Sequence, residues 1–155
     1  MQLSSKKAII KANMKFEFSA GGVTYKESGG KIFILVAQHS QHHGWVFPKG
    51  LIGDQIKGEG KEETALREVK EETGIEAKIV RPLTPVTYWY FFNKEKIKKT
   101  VYYFIMEYVN GDFKTRDLEM ENVEWLEEEK VENKLTYKSD KNVWQEARRY
   151  IKDLL

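Results

Sequence analysis

The stretch from Gly50 to Ile75, GLIGDQIKGEGKEETALREVKEETGI, constrains the fold more than any other. Gly50, Gly53, Gly58 and Gly60 mark its first half as a loop, and Gly74 is placed to stop a helix in the left-handed region. Between them a helix is expected from about Glu62 to Thr73, with Leu66, Val69 and Thr73 packing on a sheet. Glu68, Glu71 and Glu72, at i, i+3 and i+4, share a different face of that helix. Like charges so spaced repel by about 0.2–0.5 kcal/mol per pair even on an exposed helix. Such a cluster calls for a cation, and hard carboxylate oxygens suit Mg²⁺, Mn²⁺ or Ca²⁺ rather than zinc.

The rest of the composition narrows the class. A chain of 155 residues, 41% hydrophobic and 13% aromatic, can bury a real core. Residues 1–14 read as a tail or short leading element, and 15–155 as one domain. The 26 basic and 24 acidic residues leave a formal charge of +2, so neither nucleic acid nor membrane is expected as a partner. Absence of cysteine excludes disulfides and thiolate chemistry and fits a reducing compartment, so a cytoplasmic location is expected. No apolar run approaches about 20 residues, and the opening MQLSSKKAIIKAN does not read as a signal peptide.

Strands are expected on both sides of the helix. Lys15 to Lys26 alternates Phe16, Phe18, Val23 and Tyr25 around Gly21-Gly22, which implies a bulge or a close backbone approach. Ile32 to Ala37 would pair with it as a hairpin. Gln38 to Gly44 is a polar loop holding all three histidines, Trp45 to Phe47 a brief strand, and Pro48-Lys49-Gly50 its end. After the helix, strands are expected over Glu76 to Pro82, Pro85 to Phe92, Thr100 to Val109 and Asn122 to Leu126, with Asn93 to Lys98 as a charged turn. Glu127 to Lys134 and Ser139 to Leu155 read as helices. The second would be capped by Ser139 and carry an apolar stripe of Val143, Ala147, Tyr150, Ile151 and Leu154. Helices on both faces of a mixed sheet make an α/β/α sandwich.

The pattern Gly53-x5-Glu59-x7-Arg67-Glu68-Val69-x-Glu71-Glu72-x-Gly74-Ile75 resembles the signature of the Nudix hydrolase family at every specified position. Gly21-Gly22 before Val23, and Trp45-Val46-Phe47-Pro48-Lys49-Gly50, are similar to that family too. The resemblance spans roughly Phe16 to Tyr150. It implies the Nudix-type α/β/α sandwich and hydrolysis of a diphosphate linked to another moiety, with Mg²⁺ or Mn²⁺. Divalent ions neutralise a pyrophosphate and make a bound water more acidic. The implied metal set is Gly50, Glu59, Glu68, Glu71 and Glu72, and Arg67 orients the glutamates. A surface ion pair of Arg67 with Glu63 or Glu71 is the alternative. Gly53 lies three residues past Gly50, so the Gly50-to-Gly58 loop bulges relative to family members in which the Pro-Lys-Gly glycine opens the box. Of the two glycines, Gly50 is favoured to face the metal. For the general base, Glu68 and a later glutamate compete. Glu119 is preferred to Glu121 for that later position, so the catalytic candidates are Glu68, Arg67, Glu119 and Glu71.

Specificity must come from elsewhere. TYWYFFNKEKIKKTVYYF sets aromatics beside lysines, and strand alternation places Tyr88 and Tyr90 on one side and Trp89 on the other. Trp89 is expected in the core, whereas Tyr88 and Tyr90 are divided between core and base stacking. Lys98 and Lys99 are candidates for extra phosphates. This segment and the later TYKSDKNVWQEA look like the diadenosine-tetraphosphate hydrolase branch. The branch implies phosphate or substrate contacts at Lys49, Lys99, Tyr103 and Tyr137, and at His42 or His43, of which His43 is taken. The expected function is asymmetric cleavage of a dinucleoside polyphosphate by a monomer or homodimer. Alternatives are a pyrophosphatase for oxidised nucleoside triphosphates, a diphosphoinositol polyphosphate phosphohydrolase, and a non-catalytic module that binds nucleotide or RNA.

Overall fold

The structure, a computed structural model, describes residues 14–53 and 55–155. The expected leading element therefore lies outside the described residues except for Met14, which opens the first strand. In chain order the elements are β1 (Met14–Ser28), β2 (Lys31–His39), β3 (Trp45–Val46), β4 (Lys49–Leu51), α1 (Lys61–Thr73), β5 (Ile75–Pro82), β6 (Val86–Phe92), β7 (Glu95–Gly111), β8 (Met120–Glu127), α2 (Val131–Lys134) and α3 (Lys138–Leu154).

The sheet runs β3-β2-β1-β7-β5, with β4 on β1, β6 on β7 and β8 on β2. β1 and β7 pair in parallel from Met14↔Lys96 to Tyr25↔Glu107, and the other pairs are antiparallel, so the sheet is mixed. Period-two alternation along β7 feeds two cores. Val101, Tyr103 and Ile105 point to one that α3 closes with Val143, Trp144, Ala147 and Ile151. Phe104 and Met106 point to the other, closed by Ala65 and Val69 of α1. The result is the expected Nudix sandwich. Burial of a side chain such as Ile105, fully inaccessible, stabilises the fold by about 1.5–3 kcal/mol.

The Gly21-Gly22 pair is a close approach and not a bulge, since the β1–β7 register runs through it unbroken. A methyl on Gly22 would sit 2.6 Å from the Met106 sulfur and 3.1 Å from Val69, so α1 could not lie this close to the sheet over any other residue. Gly74 ends α1 at φ 81° as expected.

Several local expectations are corrected. Lys49–Leu51 does not end a strand but forms β4, which pairs with Ser19, Ala20 and Gly21. The hairpin after β6 turns on Asn93-Lys94 alone, at φ 50° and 63°. Positive φ at both residues matches strand twist, so β7 begins at Glu95 and absorbs the expected charged turn. Glu127 to Lys134 is a 3₁₀ turn followed by the short α2. Ser139 does not cap α3, because the helix starts earlier and Tyr137 occupies the cap position. Leu154 is 47% exposed and leaves the apolar stripe.

Candidate active site

Arg67 is the hub of the site. Its side chain is 14% exposed. Its Nε and Nη2 donate to the two oxygens of Glu59 at 2.8 and 2.9 Å, a bidentate fork. Its Nη1 donates to Glu68 Oε1 at 3.0 Å and to Glu71 Oε2 at 3.1 Å. The simple surface pair is thereby excluded, and Glu63 is not a partner. Hydrogen bonding to Glu59 raises the Arg67 pKa, and the same bonds hold the Glu59 carboxyl below its ordinary range. Thr64 Oγ1 donates to Glu59 at 2.6 Å as well. Both oxygens of Glu59 are therefore engaged, and the residue expected among metal ligands is instead the anchor of Arg67.

Glu68 and Glu72 are 8% and 2% exposed. Burial raises the Glu68 pKa, and Glu71 and Glu119 add to the rise while Arg67 opposes it. Glu72 is pushed well up, first by burial and then by the charges of Glu68 and Glu119. Lys49 N–H donates to Glu72 Oε2 at 3.2 Å. Gly50 lies directly against the Glu68 carboxylate, where any Cβ would collide with it. Gly53, at φ 73°, has no Glu68 atom beside it. Of the two glycines, Gly50 adjoins the carboxylates.

These groups open into a cleft of about 760 Å³. Glu68, Glu71, Glu72, Asp117 and Glu119 give it an acidic wall, faced by Lys49, Lys99, Tyr88, Tyr90 and Phe92. Burial lowers the Lys99 pKa, with Lys49 adding to the effect. Tyr90 hydroxyl donates to Glu17 on β1, and burial together with that carboxylate raises its pKa to about 12. Glu119 stands 3.4 Å from His39 Nε2, whereas Glu121 turns away to His43 Nδ1 at 2.6 Å.

The structure brings together Lys49, Gly50, Glu68, Glu71, Glu72, Tyr88, Tyr90, Lys99 and Glu119. It does not place His43 there. His42 lines the cleft instead, stacked on His39 at 4.3 Å, with Nδ1 bonded to Tyr137 Oη at 3.0 Å and to Gly44 N–H at 3.0 Å. Tyr137 reaches the site only through His42. Two hydrogen bonds between Thr136 and Trp45 fix it there, with Thr136 N–H to Trp45 O at 3.1 Å and Trp45 N–H to Thr136 Oγ1 at 2.9 Å. Tyr103 is another correction. It is 4% exposed, packs edge-on against Phe47 and bonds to Asp140, so it belongs to the core beneath the cleft. Trp89 is corrected the other way, at 45% exposure. Lys98 lies over Trp89 on the opposite face from Lys99.

Sequence reasoning missed Glu17, His39 and Asp140. Glu17 shares its strand face with Lys99 only through the β1–β7 register. Asp140, 3% exposed, accepts from Phe47 N–H at 3.3 Å, and burial raises its pKa against the pull of Lys49. Only its place in the first turn of a helix hinted at a role.

The NUDIX domain model matches residues 15–153. This chain belongs to the Nudix family. Its NUDIX domain takes in nearly all of the described residues. An 8-oxo-(d)GTP phosphatase of Mycolicibacterium smegmatis is 32% identical over 143 residues, covering 86% of this chain and 41% of that protein. The asymmetrical bis(5'-nucleosyl)-tetraphosphatase of Rattus norvegicus is 36% identical over 95 residues, covering 61% of this chain and 63% of that protein. The chain thus spans less than two thirds of the length of these curated relatives. Among solved structures, a C. elegans Ap4A hydrolase binary complex superposes with a TM-score of 0.72 at 26% identity, over 88% of this chain and 98% of that one. Among the described residues no helix is long and apolar enough to cross a membrane.

The donor set fits a hard divalent ion: buried carboxylate oxygens, raised in pKa by burial and each other, beside a glycine that leaves the Glu68 carboxylate uncovered. They do not yet converge. Among the described residues no group of three acidic or imidazole side chains is arranged to hold an ion, and Arg67 holds Glu68 and Glu71.

Proposed function

We propose that this domain hydrolyses dinucleoside polyphosphates asymmetrically, diadenosine tetraphosphate being the expected substrate, with Mg²⁺ or Mn²⁺ as cofactor. The observation that carries this reading is a single cleft with carboxylates on one wall and two lysines beside two tyrosines on the other. The acidic wall suits the diphosphate to be cleaved; the basic, aromatic wall suits further phosphates and a base.

Glu68, Glu71 and Glu72, with the neighbouring Gly50 carbonyl, would hold the ion. When bound, it neutralises diphosphate oxygens and makes water more acidic. Lys49 and Lys99 bind the remaining phosphates. Tyr88 and Tyr90 offer ring faces to a base, and His42 presents an imidazole to the chain between. Glu119 takes the proton as a water oxygen attacks phosphorus and the bond to the bridging oxygen breaks, leaving a triphosphate and a monophosphate. Arg67 touches no substrate and positions Glu68 and Glu71, with Glu59 as its anchor.

A second reading is a pyrophosphatase for oxidised nucleoside triphosphates, favoured by the similarity to the 8-oxo-(d)GTP phosphatase. One panel separates them. The purified protein with Mg²⁺ is given diadenosine tetraphosphate, 8-oxo-dGTP and a diphosphoinositol polyphosphate, and products are identified by mass spectrometry. ATP with AMP from the first substrate is expected. An intact tetraphosphate beside cleaved 8-oxo-dGTP would overturn the leading reading in favour of the second.

A further inference from the structure

The strands that wall the cleft have another face. Side chains alternate along a strand, so the partners of Tyr88, Tyr90 and Lys99 in the cleft are Trp89, Phe91 and Lys98 on the opposite side. Pairing sets Phe16 of β1 beside Lys98 of β7, and Lys98 beside Trp89 of β6. One step along, Lys96 pairs with Phe91, and Phe18 with Thr100. Aromatic rows on the two outer strands therefore flank a row of lysines on the middle one. The rings are open to solvent: Phe91 is 74% exposed, Phe16 59% and Phe18 48%. Lys96 and Lys98 hold their ammonium groups 4.6 and 5.7 Å from the centre of the Trp89 ring. α1 covers the same sheet face farther on, over Ala20, Phe104 and Met106, and among the described residues no helix lies over this end. Lys61, at the start of α1, adds a cation over Tyr102 at the border.

Among the described residues the strip carries no carboxylate. Glu17 and Glu95 stand at the alternate positions of β1 and β7. The formal charge of +2 is a sum over the whole chain and does not describe this face.

We propose that this face binds single-stranded nucleic acid, with bases stacked on Phe16, Trp89 and Phe91 and phosphates neutralised by Lys96 and Lys98. A sheet that offers rings and cations side by side suits a strand that carries bases and phosphates side by side. A second copy of the chain suits it less, because a two-fold contact lays the patch on itself and sets lysine against lysine with no acid between. A bilayer suits it less too, because the lysines lie between the rings and would enter hydrocarbon with them. The face is separate from the cleft, so its failure as a nucleic-acid site would leave the hydrolase reading untouched.

The test is fluorescence anisotropy of labelled oligouridylate and oligothymidylate of about 12 nucleotides, titrated with the full chain. Saturable binding is expected, weakening steeply between about 50 and 200 mM salt. Trp89→Ala with Phe91→Ala should weaken it roughly tenfold or more. Lys96→Glu with Lys98→Glu, which reverses the two charges beside Trp89, should do the same and flatten the salt dependence. Both double variants should keep wild-type hydrolysis of diadenosine tetraphosphate, which also reports an intact fold. Absence of oligonucleotide binding would overturn the proposal. So would binding that survives both double variants but is lost with Lys99→Ala, which would put the strand in the cleft. Binding to phosphatidylserine vesicles in place of oligonucleotide, or self-association that the Trp89 and Phe91 changes abolish, would assign the face to another partner.

Discussion

The two walls of the cleft are built in opposite ways. The acidic wall is largely one helix and the loop before it: Glu59, Arg67, Glu68, Glu71 and Glu72 fall within a single short stretch of chain. The basic, aromatic wall takes Lys49 from β4, Tyr88 and Tyr90 from β6, Lys99 from β7 and His42 from the loop after β2. Helical spacing aims Arg67, Glu68, Glu71 and Glu72, and a register error of one residue could not leave those glutamates on different faces. The second set depends on strand pairing, where a one-residue slip would exchange Tyr88 and Tyr90 for Trp89 and Phe91. The acidic wall is thus fit to carry chemistry that must not drift, and the assembled wall is the one in which substrate preference can change.

If that division holds, a change to the acidic wall should strike turnover and a change to the other should strike substrate choice. Glu72→Gln tests the first half most severely. It removes a charge and keeps the shape, so kcat should fall on the order of 10³-fold, several kcal/mol of transition-state stabilisation, while circular dichroism stays unchanged. Turnover within a few-fold of wild type would remove Glu72 from the machinery.

Arg67→Lys probes the same wall indirectly. A lysine cannot make the fork to Glu59 while also reaching Glu68 and Glu71. Outer-shell losses of this kind cost about 10–100-fold in metal affinity or activity. Raising Mg²⁺ should recover part of the loss, which a role confined to folding would not permit.

On the other wall, Tyr88→Ala should raise KM for diadenosine tetraphosphate about tenfold, as expected of one lost base stack, with kcat nearly unchanged. Inorganic pyrophosphate, which has no base, provides the control, and its hydrolysis should not change. Equal losses on both compounds would return Tyr88 to a structural role, since its ring also packs against the core beneath the cleft.

The same contrast decides what could be read from sequence. The helix, its Gly74 stop and the glutamate face follow from local spacing, and so do most strands, because β7 and β2 are apolar runs bounded by turns. What failed depends on contacts distant in sequence. Trp89 looks like core until pairing puts it on a sheet face that, among the described residues, no helix covers. Tyr103 and Tyr88 lie in similar aromatic runs, yet α3 buries one and the cleft exposes the other. His43 and His42 are neighbours, and contacts distant in sequence separate them: the Tyr137 hydroxyl, brought in by the Thr136–Trp45 bonds, holds His42, and Glu121 draws His43 away. Glu59 illustrates another limit, since its spacing fits a ligand equally well as the anchor that its bonds to Arg67 and Thr64 make it.

The acidic wall should also reveal itself in stability, by a smaller effect of opposite sign to its effect on activity. Burial and neighbouring charge raise the Glu68 and Glu72 pKa values above those of the unfolded chain, so the metal-free folded state binds more protons than the unfolded one. The contribution of these two groups to stability should then be greatest below the ordinary carboxylate range and decline as pH rises from there through the raised folded-state values. Glu72→Gln cannot acquire that buried charge. In EDTA its Tm should exceed that of wild type at neutral and higher pH, and the gap should close as pH falls towards the unfolded carboxylate range near about 4.3. Added Mg²⁺ should raise the wild-type Tm, because an ion that binds only the folded state stabilises it, and should do little for the variant. A Tm gap that is independent of pH would mean that Glu72 binds its proton equally well in the folded and unfolded states, and the clustered carboxylates would then cost the fold nothing.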